Sequence, residues 1–386
     1  YSDAGNSGLG LVPYNNTLYA QIDNARHLEN LSPEISGYTY EIKGAIQTDN
    51  IYWSYESNPS METGPDSYTK IFTKELGSNL SVYDQDGNKH NNAAGCFRPL
   101  NSNTNLELSN LELYSAWNEK DNRNYKLSGI RVNEESGMAG IFAQTSVAIT
   151  IQNLDVENGS FTSKADKAGG LIACGENTVT FNSVNFTGDL IVKGQNIAGG
   201  FVAQSKGSLN ITKSSINNAS ICSLEDKAGG LAGCADNDVT ISEMDIVGPL
   251  TVEAKNIAGG FVAQSKGSLN ITKSSIHDAS IKSVTDKAGG LAGYTDNDVT
   301  ISEMNLVGPL TVEAKNIAGG FVAQPKGSLT VTNSSIKDAS ICSLEDKAGG
   351  IIGVTGTSAT LNNITTDSLS VAGKSGAGGL IAKAES

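Results

Sequence analysis

A thirty-residue beat of Ala-Gly-Gly runs from the middle of this chain to its end, and it constrains the fold more than any other feature. The triplet begins at Ala168, Ala198, Ala228, Ala258, Ala288, Ala318 and Ala348. A degenerate copy, Met138-Ala139-Gly140, precedes the set on the same beat, and Ala377-Gly378-Gly379 follows it one residue early. A fixed period of about 20 to 50 residues marks stacked units, each of which buries its apolar face against its neighbours. The product of such stacking is a rod with long faces and no central cleft.

Two kinds of unit alternate. One reads Asp226-Lys227-Ala228-Gly229-Gly230-Leu231-Ala232-Gly233, the other Asn256-Ile257-Ala258-Gly259-Gly260-Phe261-Val262-Ala263-Gln264. The true repeat is therefore a pair of unlike units, and VGPLTVEAKNIAGGFVAQ recurs verbatim at 247–264 and 307–324, as tandem duplication of a two-coil module would leave it. After each glycine pair come short alternating runs such as Ser208-Leu209-Asn210-Ile211-Thr212 and Asp238-Val239-Thr240-Ile241-Ser242. This period of two predicts strands with one apolar face. Three short strands and their turns make one coil of a parallel β-helix, right-handed as parallel crossovers generally are. Ile151, Phe181, Ile211, Ile241, Ile271, Ile301, Val331 and Leu361 then form one core ladder, and Leu171, Phe201, Leu231, Phe261, Leu291, Phe321 and Ile351 another. Eight coils at about 4.8 Å each give a shaft of roughly 40 Å.

The alternation has an electrostatic reason. Surface positions one beat apart alternate in sign: Glu176, Lys206, Asp236, Lys266, Asp296 and Lys326 form one column, and Lys213, Glu243, Lys273 and Glu303 a second. A uniform repeat would stack identical charges about 4.8 Å apart. Alternation replaces that repulsion with attraction and penalises a slip by one coil.

Other classes are disfavoured by what the chain lacks. The glycine pairs stand in none of the strand, glycine-loop and helix arrangements that cradle phosphate, so they are read as permitting tight bends or close stacking. The formal charge is −14 and all four arginines, Arg26, Arg98, Arg123 and Arg131, precede the first glycine beat, which leaves no basic stripe for nucleic acid. No apolar run is long enough to predict membrane insertion, and no signal-peptide core opens the chain. The five cysteines, Cys96, Cys174, Cys222, Cys234 and Cys342, have no zinc-type spacing. They are read as free thiols, with Cys222 and Cys234 the one pair left open.

Residues 1–126 are different material and are expected to form an N-terminal cap with irregular first coils, leaving 127–386 as the parallel β-helix. This first part holds both tryptophans and eleven of the twelve tyrosines. Over about 19–31, Ile22, Ala25, Leu28 and Leu31 fall on one helical face and predict a short amphipathic helix covering the first coil. Tyr52, Trp53 and Tyr55 are candidates for a platform that stacks sugar rings.

The runs AGGLIACG, AGGLAGC, AGGLAGY and AGGIIGV resemble the GLUG-type repeats of bacterial surface and secreted proteins, and the segment AQIDNARHLENLS…YTYEIKGAIQ resembles one that introduces such arrays. The resemblance covers about 138–386 and, more faintly, 17–47. It implies a β-solenoid on a Gram-positive or gut-bacterial cell surface, part of a large adhesin-like protein, and it specifies architecture more than activity. No LPxTG-type anchor occurs in the sequence.

Many β-helix proteins cleave acidic polysaccharides, and such sites need clustered carboxylates beside a Lys or Arg. Here the carboxylates are spread periodically among lysines, the histidines His27, His90 and His277 are scattered, and Asp84-Gln85-Asp86-Gly87-Asn88 lacks the distal acid of a calcium loop. No catalytic residues, metal ligands or cofactor are therefore assigned. The outward positions of one strand form a two-column ladder in which Thr240, Thr300 and Thr330 are ligand candidates. Flat threonine ladders can hold regular polymers, although any exposed strand favours such residues. The sequence thus predicts a non-enzymatic extracellular rod, an adhesin or stalk that meets a host or neighbouring-cell glycan or protein. A carbohydrate-binding module is the alternative, with a lyase, hydrolase or ice-binding solenoid behind it. Because Ala377-Gly378-Gly379 starts another coil just before the last residue, the array is also expected to continue in a longer protein.

Overall fold

The computed structural model describes residues 126–384 in full, and before them the backbone of a set of strands between Leu11 and Asn124. Every regular element among the described residues is a β-strand. Parallel strands stack one coil apart into three ladders: a 17-stranded sheet, a 10-stranded sheet and an 8-stranded sheet. The chain is a β-solenoid whose coils keep the period of the glycine triplet, Ala198 pairing with Ala228 and Ala228 with Ala258. Ile211 pairs with Ile241, Ile241 with Ile271 and Ile271 with Ile301, so the first expected core ladder is real. Its members from Ile151 to Val331 are fully buried, as is the second ladder from Leu171 to Ile351. Phe201 packs in T-shaped contact with Phe181 and with Phe186, each with ring centroids 5.2 Å away. In the last coil Leu361, Ile364, Leu369 and Val371 are only partly buried.

The glycine ladder has a steric cause. A Cβ on Gly230 would lie 2.0 Å from the carbonyl oxygen of Gly260, and one on Gly260 would lie 1.9 Å from that of Gly290. The preceding glycine is equally hemmed, since a Cβ on Gly259 would meet the Val262 carbonyl oxygen at 2.0 Å. The pair is read correctly as a device for close stacking. Backbone amides run straight through it, from Gly230 to Gly259 and from Gly260 to Gly289, at 3.0 and 3.2 Å.

Where the sequence predicts three short strands per coil, the later coils join two of them into one long, bent strand, Leu209–Ser223 and Val239–Ala254 for example. The first bend of each coil sits at a residue with left-handed backbone, Asn153, Ser183, Lys213, Glu243, Lys273, Glu303, Asn333 and Asn363, with φ between 48° and 55°, and in most coils a second positive-φ residue follows five positions later, as at Asn158, Gly248, Asp278 and Asp338. A non-glycine residue in that region is uncommon and needs support from its surroundings. Support comes from the next residue in alternate coils. The buried Ser214 hydroxyl donates to the Thr212 carbonyl at 2.8 Å and accepts from the Val184 amide at 3.1 Å. Ser274 and Ser334 accept from the Met244 and Met304 amides in the same way. The intervening coils fill that space with Met244 and Met304 instead.

The two-coil period also reflects an exchange of length between two corners. Ile216 pairs with Ile246, in step with the beat, but Ala219 pairs with Leu250, one position later than the beat would place it. The extra residue belongs to the Val247-Gly248-Pro249 corner, and the shift is undone at Leu224, because Lys227 pairs again with Ile257. Leu224, Val284 and Leu344 are consequently pushed out to 60%, 50% and 53% exposure.

Before residue 126 the sheets continue. Gly44–Gln47 pairs in parallel with Asn110–Ser115, which pairs in parallel with Ala148–Gln152. The amphipathic helix expected near 19–31 is corrected over its first part: Thr17–Ile22 is a strand, antiparallel to Leu11–Tyr14 and parallel to Gly44–Gln47. Leu18, Ala20 and Ile22 alternate with Thr17, Tyr19 and Gln21, and neighbouring strands that supply ladder hydrogen bonds decide such a mixed pattern for β. Residues 23–31 lie outside the described residues. Ser81–Tyr83 and Lys89–Asn91 form an antiparallel pair with Tyr83 opposite Lys89, and residues 84–88, weighed above as a calcium loop, lie outside the described residues.

Candidate binding face

One face presents polar residues in register along the whole stack. Its strands are Val179–Asn182 and the equivalent starts of the long strands, and its outward residues are held in register coil by coil. Thr150, Thr180, Asn210, Thr240, Asn270, Thr300, Thr330 and Thr360 form one column. Gln152, Asn182, Thr212, Ser242, Thr272, Ser302, Thr332 and Asn362 form the next. The structure therefore brings Thr240, Thr300 and Thr330 onto one line, with Asn270 between the first two. Thr300 is exposed, and Thr240 and Thr330 are half-exposed. The other candidates are not placed with them. Tyr52 ends the strand Ile51–Tyr52, whose backbone pairs with Leu127 and Ser128. Its side chain, Trp53 and Tyr55 lie outside the described residues.

A charged corner bounds the face on each side. On one side the expected alternation forms ion pairs in couples: Lys206 with Glu176 at 2.9 Å, Lys266 with Asp236 at 2.6 Å and Lys326 with Asp296 at 3.1 Å. Lys206 holds the Glu176 carboxyl below its ordinary range against the opposing effect of burial. Burial pushes Asp236 up, but Lys266 and Gln204 outweigh it and its carboxyl also lies low. Gln204 donates to Asp236 at 2.8 Å. A carboxyl depressed in the fold stabilises it above the unfolded pKa, and that contribution is lost as pH falls through the folded pKa.

On the other side the expectation is corrected. Lys213, Glu243, Lys273 and Glu303 occupy the left-handed corner, stay exposed, and form no ion pair with one another within 4.0 Å. An exposed pair gains little in water against the entropy of fixing two long side chains.

Lys266→Glu is expected to remove one couple and place three acids in succession, with a stability loss of about 1 kcal/mol that shrinks as salt rises. Thermal unfolding at low and high salt checks this, with Lys193→Glu, an exposed change outside the column, as the control. A salt-independent loss, or the same loss for the control, would show that the column does not act electrostatically.

Two polar ladders escaped the sequence reading although their signal was present at the same spacing. Asp166, Asn196, Asp226, Asn256, Asp286 and Asn316 alternate, each Asn donating to the preceding Asp at 3.0 to 3.2 Å. Lys167, Lys227 and Lys287 pair with the adjacent acids. Along a second column Asn185 donates to Asp155, Ser215 to Asn185 and Ser335 to Asn305, each at 2.8 Å. Alternation here matches donor to acceptor between coils and avoids stacking like carboxylates. Among the described residues no group of three or more His, Cys, Asp or Glu is placed to hold a metal ion.

Cys174, Cys222, Cys234 and Cys342 are free thiols, so the pair left open between Cys222 and Cys234 does not form. Cys96 lies outside the described residues. Cys174 and Cys234 flank Gln204 in one ladder, and burial raises each to about 11. Since the thiolate is the reactive form, the half-buried Cys222 and Cys342 should label first in the native chain, with Cys174 and Cys234 slow until unfolding. Because the folded thiols stay neutral above the unfolded pKa, they stabilise the fold below about 9 and that stability is lost as pH rises toward 11. Mass spectrometry after timed alkylation checks the order. Equal labelling of all four would contradict the buried assignment.

With this geometry, the chain is defined as a parallel β-solenoid with a ladder face between charged corners. No family model matches it, and no curated protein matches it. Among solved structures it is similar to one from Bacteroides ovatus described as "a putative immunoglobulin A1 protease", at 12% identity and a TM-score of 0.42, covering 96% of this chain and 84% of that one. A likeness of that size carries no argument about activity.

Proposed function

We propose that the chain is a non-enzymatic rod of the bacterial cell surface, an adhesin or stalk region that holds a host or neighbouring-cell glycan or protein along its side. One observation carries this reading. The ladders run unbroken from coil to coil, and the corners that join them are short, so the described residues present long repetitive faces. Such surfaces suit multivalent contact with an extended partner. The absence of catalysis is supported by how the half-buried carboxylates are engaged. Glu176, Asp226, Asp236 and Asp286 each satisfy a lysine and an amide of the ladders. Extracellular placement follows the resemblance to GLUG-type surface repeats, and the acidic composition is compatible with it.

A carbohydrate-binding module is the second reading, favoured by the aligned Thr240, Thr300 and Thr330. Beads coated with the chain are expected to adhere to intact cells, and T240K/T300K/T330K beads to adhere several-fold less. A glycan array probed with the same proteins separates the two readings: strong binding to one sugar polymer supports the module. Adhesion untouched by the triple change would remove the face from the proposal. Release of soluble sugar from a bound polymer would overturn the non-enzymatic reading.

A further inference from the structure

The two charged corners carry the same sign on each coil. Lys206 shares a coil with Lys213, Asp236 with Glu243, Lys266 with Lys273, and Asp296 with Glu303. The face is thus banded positive, negative, positive, negative, with about 4.8 Å between bands. Much of this charge remains available to a partner. The four corner residues from Lys213 to Glu303 are exposed without ion pairs to one another, and the paired Lys206, Lys266 and Lys326 side chains still keep 46%, 50% and 59% exposure. The flanking coils are neutral at the left-handed corner: Asn153 and Ser183 come before, Asn333 and Asn363 after.

We propose that this face binds a second copy of the chain, antiparallel, about a two-fold axis that lies along the strands between the Glu243 and Lys273 coils. Such an axis reverses the order of coils and brings each column onto itself. Lys213 then meets Glu303 and Glu243 meets Lys273, each twice, giving four ion pairs from residues that have none with one another in the single chain. The same operation sets Lys206 opposite Asp296 and Asp236 opposite Lys266. Between the corners it sets Thr240 against Asn270, Thr212 against Ser302 and Ser242 against Thr272, short side chains that both donate and accept. The neutral left-handed corners also fall opposite one another, Ser183 on Asn333 and Asn153 on Asn363, and Glu176 falls opposite Lys326. A closed two-fold interface requires this self-complementarity.

The competing two-fold, parallel to the rod, joins the two corners of the same coil. It sets Lys206 on Lys213, Asp236 on Glu243, Lys266 on Lys273 and Asp296 on Glu303, so every coil repels. The banding therefore selects the antiparallel pair and rejects the parallel one. Exposed ion pairs are individually weak, so the association is transient and salt-sensitive. It does not depend on the adhesive reading, since it concerns the chain in solution.

Sedimentation velocity and small-angle scattering on the whole chain test it, across concentration at about 20 mM and about 500 mM salt. A dimer is expected at low salt, with a doubled cross-section and the length of about one rod, that dissociates at high salt. K213E/K273E makes the stripe wholly acidic and E243K/E303K makes it wholly basic. Each is expected to weaken self-association by about tenfold or more. An equimolar mixture of the two should restore it, and so should the fourfold reversal K213E/E243K/K273E/E303K. The basic pair is the decisive arm, because it lowers the net negative charge of −14. If bulk repulsion governed association, that variant would dimerise better than the parent. The proposal is overturned by a parent that stays monomeric at low salt, by a dimer indifferent to both double changes, or by a basic variant that associates more tightly. The altered residues are exposed, so circular dichroism should show an unchanged fold. If one single-sign variant were unstable, the reversal variant still decides.

Discussion

Gly260→Ala is expected to collapse the central coils, although it adds one methyl group. The new Cβ would lie 1.9 Å from the Gly290 carbonyl oxygen and 3.0 Å from its carbon, both of them backbone atoms that cannot rotate away. Relief requires the two coils to part, which breaks the backbone hydrogen bonds from the Gly260 amide to Gly289 and from the Phe261 and Val262 amides to Leu291. Each coil is stabilised mainly by its neighbours, so a parted pair weakens the stack on both sides. A loss above about 4 kcal/mol is expected, in the range reserved for named structural faults. Gly379 occupies the same place in the last Ala-Gly-Gly and has nothing within 4 Å of its would-be Cβ. Gly379→Ala should therefore melt like the parent. Equal melting of the two variants would show that the glycine ladder is not fixed by coil contact.

Ile241→Asp should be nearly as damaging, for a different reason. Ile241 is fully buried between Ile211 and Ile271 in the first core ladder. A carboxylate there has no partner, and an uncompensated buried charge costs about 3 to 5 kcal/mol. Burial also raises the pKa of the introduced acid, so the loss is greater at pH 7 than near pH 4, where the acid is largely neutral in the folded chain and half so in the unfolded one. Thr240→Asp, one residue earlier on the outward face, should cost little. Thermal unfolding of the three proteins at both pH values is the measurement. A pH-independent loss, or a parent-like midpoint for Ile241→Asp, would be incompatible with a dry ladder at that position.

The sequence by itself determined the coil length, the identity of the core ladders and the place of the glycines. These are column properties, and a repeat at constant spacing prints each column directly into the chain. The placement of Thr240, Thr300 and Thr330 on one line was legible for the same reason. The donor and acceptor ladders through Asp226 and Asn256, or Asp155 and Asn185, were equally printed, but an alternation of Asp with Asn looks like drift until the hydrogen bonds are seen. Tertiary structure alone decided three other matters. It made Thr17–Ile22 a strand, because partner strands on both sides outweigh a short mixed pattern. It moved one residue between the Gly248 and Leu224 corners, since register depends on the sum of corner lengths and not on either corner alone. It also divided two columns of identical charge alternation, pairing Lys266 with Asp236 while leaving Lys213 and Glu243 apart. Sequence spacing sets which residues share a column, but backbone conformation at the corner sets whether their side chains meet.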